Sequence, residues 1–272
     1  MFKTAHVLYK PTQKCLAVAK AISEKLRSSG IRLIVATVDD LQKVGEKPDL
    51  IVSVGGDGTF LLAAGLVGET DDTLILPIPC GRRNILYEEE ADDIDTVVQR
   101  LAAGDFYVES IHRLKIGVKG EERLFLNEAV LINTNLGKIM GIRIEIISPW
   151  VVSHYSFEGD GLLISTSKGS SAYNLSARGP LVAPLIHSIV LTPLNPIELN
   201  SPSSVLPAFS TVIKMTPIRG SLNIFVDGQF FKNVSKGTEV TVSGSTGFLR
   251  VIRFKPFADL IGSSIRWRCV GH

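Results

Sequence analysis

The residues best suited to chemistry stand at the end of an apolar run, Leu50–Val54, and read Gly55-Gly56-Asp57-Gly58-Thr59. Glycines let a backbone approach a ligand closely, and the N-terminus of a following helix attracts phosphate. The pattern therefore predicts a phosphate-binding turn that includes Gly55 and Gly56. The Asp57 carboxylate would repel phosphate. We expect it instead to take a proton from a hydroxyl group or to act through a metal ion.

The spacing of this glycine turn excludes two common nucleotide-binding motifs. The dinucleotide fingerprint Gly-x-Gly-x-x-Gly does not fit these residues, and no Gly-x-x-x-x-Gly-Lys-Ser/Thr segment occurs in the sequence. A plain tight turn remains the structural alternative, because Gly and Asp are common turn residues.

A second polar cluster extends over residues 160–180 and contains many small hydroxyl and glycine residues. Exposed hydroxyls, backbone amides and one aromatic ring suit a sugar and a base. Tyr173 could stack on an adenine or nicotinamide ring, and the Asp160 carboxylate could accept hydrogen bonds from ribose or amide groups. A capped helix after a serine-rich loop explains the same residues equally well.

The elements that must position these residues alternate between strand and helix over the first hundred residues. The patterns predict strands at 5–9, 31–38, 50–54 and 74–76, and helices at 12–29 and around 94–104. Such alternation indicates an α/β fold with a parallel sheet and helices on both faces. Ligands bind to such sheets at the carboxyl ends of the strands, where the glycine turn would lie.

The pattern changes near residue 105 to short β-rich runs separated by turn signals. One of these signals, Asp227-Gly228, lies between two apolar runs and is typical of a hairpin. We therefore predict an α/β domain over residues 1–104 and a β-rich domain over 105–254. The segment 255–272 would be a C-terminal extension that returns to the first domain.

Composition excludes several classes of protein. The chain has 29 basic and 27 acidic residues and a net charge of +2, so bulk charge predicts no nucleic-acid or membrane partner. Cys15, Cys80 and Cys269 are odd in number and far apart, which predicts neither a disulfide framework nor a zinc site. With no signal peptide apparent before the first strand, the expected location is cytoplasmic.

Several blocks, taken together and in this order, resemble the NAD kinase family, also called ATP-NAD or polyphosphate-NAD kinases. The blocks are Gly55–Thr59, Phe125–Val130, Asp160–Pro180, Leu191–Pro196 and Val226–Gln229. The family's α/β domain followed by a β-rich domain agrees with the organisation predicted above.

The resemblance implies transfer of a phosphoryl group from ATP, or polyphosphate, to the 2′-hydroxyl of the adenosine ribose of NAD, which gives NADP. It implies Mg²⁺ as cofactor and a homo-oligomer, either a dimer or a tetramer. Asp57 would be the catalytic base, and Gly55, Gly56 and Gly58 would let phosphates approach. NAD would be bound by Gly58 of the turn and, in the β-rich domain, by Asn127, Glu128, Asp160, Ser171, Ala172, Tyr173 and Ser176.

Within that assignment we expect Asn127, Asp160 and Tyr173 to line one pocket. Asn127 and Glu128 would hold the adenine side of NAD, and Asp160 the nicotinamide end. A bulge or a buried cap in an apolar strand is the structural alternative for the first two.

The chain departs from the family pattern in the segment 79–87 and at Lys168, where a small residue is usual. Arg82, Arg83 and Lys168 could bind phosphate, because guanidinium and ammonium groups suit it, or could be solvated surface cations. The sequence leaves two other functions open. One is a lipid or sugar kinase that shares the glycine turn, and the other is a non-catalytic dinucleotide-binding homologue.

Overall fold

A computed structural model describes residues 2–43, 47–80, 86–87, 93–135, 137–198 and 201–255. The chain divides into two compact units, one formed by residues 1–111 and 249–272 and the other by 112–248. It passes between them within two strands, β5 (Tyr107–Val118) and β16 (Val240–Arg253). The predicted domain boundaries at residues 104 and 254 lie a few residues from the positions where one unit ends and the other begins, after residues 111 and 248. Residues 256–272 of the predicted C-terminal segment lie outside the described residues.

The first unit contains the parallel sheet that the sequence predicts. Its strands lie in the order β2-β1-β3-β4. Arg250 and Val251 of β16 add a parallel pairing to β4. The elements are β1 (Thr4–Tyr9), α1 (Gln13–Ser28), β2 (Arg32–Thr37), a 3-10 helix (Val38–Lys43), β3 (Leu50–Gly55), α2 (Asp57–Gly65), β4 (Leu74–Pro79) and α3 (Ile94–Ala103).

Strand β4 extends beyond the predicted range 74–76 and contains Pro77 and Pro79. Pro77 and Pro79 pair in register with Ser53 and Gly55 of β3. Prolines two residues apart direct their nitrogens to the same edge of a strand. Proline has no N–H to donate, so it is tolerated where that edge makes no hydrogen bonds to a neighbouring strand. The described pairing of β16 with β4 ends at Ile75, before the first of these prolines.

The second unit is β-rich, as predicted. One antiparallel sheet has the order β12-β11-β10-β7-β14-β15, and a second set joins β16, β13, β8 and β9, with β5 paired to β6. Apolar side chains from these strands form one buried core. The remaining elements are β6 (Glu121–Phe125), β7 (Glu128–Asn133), β8 (Met140–Ile147), β9 (Val152–Gly159), β10 (Gly161–Thr166), a 3-10 helix (Gly169–Ser171), α4 (Tyr173–Ser176), β11 (Ser188–Leu194), β12 (Ser204–Pro207), β13 (Val212–Arg219), β14 (Leu222–Val226) and β15 (Gln229–Val234).

The cysteine prediction is wrong for two of the three residues. Cys15 and Cys80 form a disulfide, with their Cα atoms 5.5 Å apart. Cys15 lies in the first turn of α1, just after β1, and Cys80 directly follows β4. The carboxyl ends of parallel strands share one edge of a sheet, so residues far apart in sequence meet there. Cys269 lies outside the described residues.

The helices within the described ranges include none that is long and apolar enough to cross a membrane.

Candidate active site

The glycine turn lies at the carboxyl edge of the parallel sheet, as predicted. Strand β3 ends at Gly55, Gly56 is extended, and α2 begins at Asp57. The first N–H groups of a helix have no carbonyl partner within it, and the helix dipole places partial positive charge there. The turn therefore has the geometry of an anion-binding site, and Asp57 stands at its centre.

The glycines of this turn have different structural roles. A Cβ atom at Gly55 would lie 2.2 Å from Thr59 Oγ1, so packing against α2 excludes any larger residue there. A Cβ atom at Gly58 would have no described atom within 4 Å apart from its chain neighbours, and Gly58 is exposed. The fold thus requires a glycine at 55, whereas nothing in the described residues requires one at 58.

The Asp57 carboxylate is held by backbone from another part of the first unit. The Leu86 N–H donates to Asp57 Oδ1 at 3.0 Å. The next residue reinforces the turn, since the Tyr87 hydroxyl donates to the Gly56 carbonyl at 3.0 Å and lies 3.0 Å from Ser53 Oγ. Burial raises the pKa of the Tyr87 hydroxyl well above its usual range, and the charge of Asp57 adds to this, so the hydroxyl stays a donor.

A second constellation forms in the second unit, where one carboxylate holds the start of β7. Asp227 Oδ2 accepts from the Leu126 N–H at 2.8 Å, and Oδ1 accepts from the N–H groups of Asn127 and Glu128 at 2.8 and 3.1 Å. Asp227 and Gly228 also make the β14–β15 turn, both with positive φ. The hairpin prediction is confirmed, and this aspartate has the further task of fixing residues 126–128.

The carboxyl groups of Glu128 and Asp227 both have raised pKa values. Burial, and then the charge of Asp227, raise the pKa of Glu128 to about 7, although the Tyr173 N–H donates to it. Burial raises the pKa of Asp227 to about 6, against the opposing effect of its three N–H donors and of Arg113. Glu128 Oε2 is buried and has no hydrogen-bond partner among the described residues. A raised pKa on a buried carboxyl with unused bonding capacity is typical of functional sites.

The serine-rich segment packs directly on residues 126–128. The Thr166 N–H donates to the Asn127 carbonyl at 3.0 Å, and a Cβ atom at Gly169 would lie 2.0 Å from that carbonyl oxygen. Together with the Tyr173–Glu128 contact, this brings Asn127, Glu128 and Tyr173 to one place. The Tyr173 side chain is 45% exposed. Its ring is therefore available to stack on a ligand.

The buried side chain of Asn174 holds this segment in shape, and sequence reasoning missed it. Asn174 Nδ2 donates to the carbonyls of Ser170 and Pro180, both at 2.9 Å, and its Oδ1 accepts from Thr192 at 2.7 Å. A Cβ atom at Gly179 would lie 2.0 Å from the same Oδ1. A buried asparagine within a polar run carries no pattern of its own, so only the fold identifies this role.

Asp160 does not join this pocket, and the prediction that it would is wrong. The antiparallel register pairs Glu128 with Ser165 and Ile132 with Gly161, so Asp160 lies at the far end of β10 from Asn127. At 3.4 Å per residue the two are about 20 Å apart. Asp160 is exposed, and its Oδ2 accepts from Asn195 Nδ2 at 2.8 Å. One part of a dinucleotide cannot contact both residues.

The other predicted site residues fall into three groups. Ser171 and Lys168 lie in the turn that carries Tyr173, with the Ser171 hydroxyl donating to the Lys168 carbonyl at 3.2 Å. Ala172 directly precedes α4, and Ser176 is the exposed last residue of that helix. The segment with Arg82 and Arg83 lies outside the described residues, so their predicted phosphate contacts stay predictions.

The described residues contain no group of three or more His, Cys, Asp or Glu side chains able to hold a metal ion. Asp57 is the carboxylate at the anion-binding turn and is the residue suited to share a cation with bound phosphates. Mg²⁺ sites often have this composition, with one or two carboxylates beside phosphate oxygens and water.

Comparison with known proteins agrees with the resemblance found in the sequence. The family model described as the ATP-NAD kinase N-terminal domain matches residues 8–106, and that of the ATP-NAD kinase C-terminal domain matches 126–254. The NAD kinase of Methanopyrus kandleri is 33% identical over 231 residues, which are 84% of this chain and 82% of that protein. The NAD kinase of Aeropyrum pernix is 29% identical over 252 residues, 89% of each chain.

Solved structures show the same fold. Yeast NADH kinase, complexed with NADH, has a TM-score of 0.83 at 19% identity and covers 99% of this chain and 89% of its own. An NAD kinase from Archaeoglobus fulgidus, in complex with ATP, has a TM-score of 0.75 at 24% identity and covers 98% and 100%. Taken with the matched domains and relatives, this establishes that the chain belongs to the ATP-NAD kinase family.

Proposed function

We propose that the chain is an NAD kinase that transfers the γ-phosphoryl group of ATP to the 2′-hydroxyl of the adenosine ribose of NAD. The observation that carries the proposal is the position of Asp57, a carboxylate at the start of a helix whose N-terminus is built to bind phosphate. A carboxylate in that position has no use as a phosphate ligand. It is suited to accept a proton from a hydroxyl that attacks the phosphate.

In this reaction Asp57 accepts the proton of the ribose hydroxyl while the hydroxyl oxygen forms a bond to the γ-phosphorus. The bond from that phosphorus to the bridging oxygen breaks, and ADP leaves. The N–H groups at the start of α2 would stabilise the charge on the transferring phosphate. Phosphoryl transfer depends mainly on such positioning and charge stabilisation.

Recognition of NAD is assigned to the second constellation. The proposal is supported by an exposed Tyr173 ring beside the perturbed carboxyl of Glu128 and the backbone of Asn127. An aromatic face suits adenine, and a carboxylate suits ribose hydroxyls. Asp160 lies at the opposite end of β10 from Asn127. It could therefore contact only a different part of the ligand, or it has no contact with the ligand.

The test of the function is NADP formation by Asp57→Asn. Asn keeps the shape of the side chain and the hydrogen bond from Leu86, but it cannot accept a proton. Turnover should fall at least about a hundredfold while the Michaelis constant for NAD changes little. Asp95→Asn is the matched control, because Asp95 also lies in the first turn of a helix of this unit. A rate for Asp57→Asn within a few-fold of the unmodified enzyme would make Asp57 a turn residue.

The same assay of NADP formation distinguishes an NAD kinase from the alternatives that the sequence leaves open. Membership of the family removes the lipid- or sugar-kinase interpretation. A non-catalytic homologue would bind NAD, measured by calorimetry, and form no NADP with either ATP or polyphosphate. The two donors are assayed in parallel, since we propose ATP and leave polyphosphate as the second donor.

We further propose Mg²⁺ as the cofactor, held by donor phosphates, water and Asp57. When bound, the ion would neutralise phosphate charge. The chain itself would supply few ligands, so Mg²⁺ should bind weakly to the free enzyme and tightly only with nucleotide. Titration with and without ATP checks this, and equal affinity in both cases would contradict it.

A homo-oligomer is proposed from an exposed apolar face of the second unit. Leu185, Ile186, Val205 and Phe209 are each 47% to 58% exposed, and β12, which carries Val205, is an edge strand in the described sheet. A second copy of the chain would cover this face. Light scattering of Phe209→Asp should show a smaller particle than the unmodified protein. An unchanged particle size would contradict the proposal.

A cytoplasmic location is proposed because ATP and NAD are supplied there, and cell fractionation tests it.

A further inference from the structure

A buried ion pair in the first unit is not among the residues assigned above to phosphoryl transfer. Arg253, the last residue of β16, donates from Nε and Nη2 to Glu109 Oε2 at 2.7 and 2.6 Å. The two side chains are only 4% and 6% exposed. A buried ion pair is weak evidence for stability, because desolvation of the charges offsets their attraction. Another contact of the arginine indicates a different role.

The third nitrogen of the guanidinium leads to the catalytic turn. Arg253 Nη1 donates to the Leu86 carbonyl at 2.7 Å, and the Leu86 N–H donates to Asp57 Oδ1 at 3.0 Å. The arginine and the aspartate thus hold the backbone of the same residue from its two sides. The Leu86 side chain is itself buried, which leaves its backbone little freedom to adjust.

We propose that Arg253 is a positioning residue for Asp57 and acts through the backbone of Leu86. The inference rests on the proposed function. Glu109 fixes the plane of the guanidinium, so Nη1 is directed at the Leu86 carbonyl. A planar fork of donors holds a carboxylate and a carbonyl at fixed, separate positions, whereas the three donors of a lysine all lie on one nitrogen and do not match that spacing.

The consequence for catalysis follows from the Leu86 N–H. A donor to a carboxylate fixes its orientation. A general base must lie within hydrogen-bond reach of the hydroxyl proton. Loss of the Arg253 contact should therefore slow the chemical step without affecting the residues assigned to NAD.

The decisive variant replaces both members of the ion pair, as Glu109→Met/Arg253→Met. Loss of Arg253 alone would leave the buried Glu109 carboxylate without the two guanidinium donors, and failure to fold would then obscure the result. Exchange of a whole buried ion pair for apolar residues of similar volume is often neutral or stabilising. The double variant should remain folded while the Leu86 carbonyl loses this donor.

We expect kcat for NADP formation to fall at least about tenfold in the double variant, with KM for NAD changed less than about twofold. Arg253→Lys keeps the charge beside Glu109 and should fold, yet its kcat should also fall while KM for NAD changes little. Arg250→Met is the control, since Arg250 lies on the same strand and makes an exposed ion pair with Asp72 at 3.2 Å. It should behave as the unmodified enzyme does.

The outcomes are separable from those of the proposed function. Absence of NADP formation by the unmodified enzyme overturns the function and this inference with it. An active enzyme whose folded double variant keeps kcat within twofold overturns the inference alone. If the double variant does not fold, Arg253→Lys decides by the same criterion.

Discussion

Replacement of Gly58 by alanine should separate what the glycine turn contributes to folding from what it contributes to binding. Gly58 is the second residue of α2, and a Cβ atom there meets no described atom within 4 Å apart from its chain neighbours. Alanine is favoured over glycine within a helix by up to about 1 kcal/mol. The free energy of unfolding should thus stay the same or rise by about 0.5 to 1 kcal/mol, which raises Tm by no more than a few degrees.

Activity should change in the opposite direction. If phosphate lies against the backbone at Gly58, an added methyl group holds the phosphate away from the N–H groups and beyond hydrogen-bonding distance. Loss of one hydrogen bond to a charged group costs about 1.5 to 3 kcal/mol. The value of kcat/KM should therefore fall about tenfold to a hundredfold while the protein becomes no less stable.

The assay is steady-state NADP formation with ATP and NAD varied in turn, together with thermal unfolding. Gly65→Ala is the matched control, because Gly65 ends the same helix and an added Cβ there also meets no described atom within 4 Å apart from its chain neighbours and the backbone of that helix. It should match Gly58→Ala in stability and the unmodified enzyme in activity. Gly55→Ala should instead lose stability, because its Cβ would lie 2.2 Å from Thr59 Oγ1. Full activity in Gly58→Ala would refute the reasoning and make Gly58 a turn residue only.

Two further predictions concern stability. The folded-state pKa of Glu128 is about 7, above its usual value. The folded protein therefore binds this proton more tightly than the unfolded chain, and stability should fall as pH rises from about 4.5 to 7 and level off above that. In Glu128→Gln, in which Asp227 is unchanged, the loss of stability between pH 5 and pH 8 should be about 2 kcal/mol smaller, as measured by denaturant titrations at the two pH values. An unchanged pH dependence of stability would contradict the raised pKa of Glu128. For the disulfide, cross-linking residues 65 apart should contribute up to about 4 kcal/mol. Reductant should lower Tm in the unmodified protein but leave Cys80→Ala unaffected, and a Tm that reductant does not change would show that the disulfide adds nothing.

Local patterns in the sequence were enough to predict the architecture and the position of the glycine turn. Apolar runs separated by amphipathic segments identified the parallel sheet, and the glycines after Leu50–Val54 placed Asp57 at the carboxyl edge of that sheet. The hairpin at Asp227-Gly228 could also be predicted from the sequence. These features follow from the period of side chains along a strand or helix and from the backbone freedom of glycine, which neighbouring residues determine.

The tertiary structure decided which side chains meet. The three hydrogen bonds of Asp227 cross about a hundred residues of chain to reach residues 126–128. The register of β7 against β10 places Asp160 far from Asn127, although both stand beside apolar strands that look alike in sequence. The Cys15–Cys80 disulfide and the contact of Arg253 with Leu86 also join distant segments. Strand order and register arise from the packing of the whole core, and no local pattern of residues specifies them.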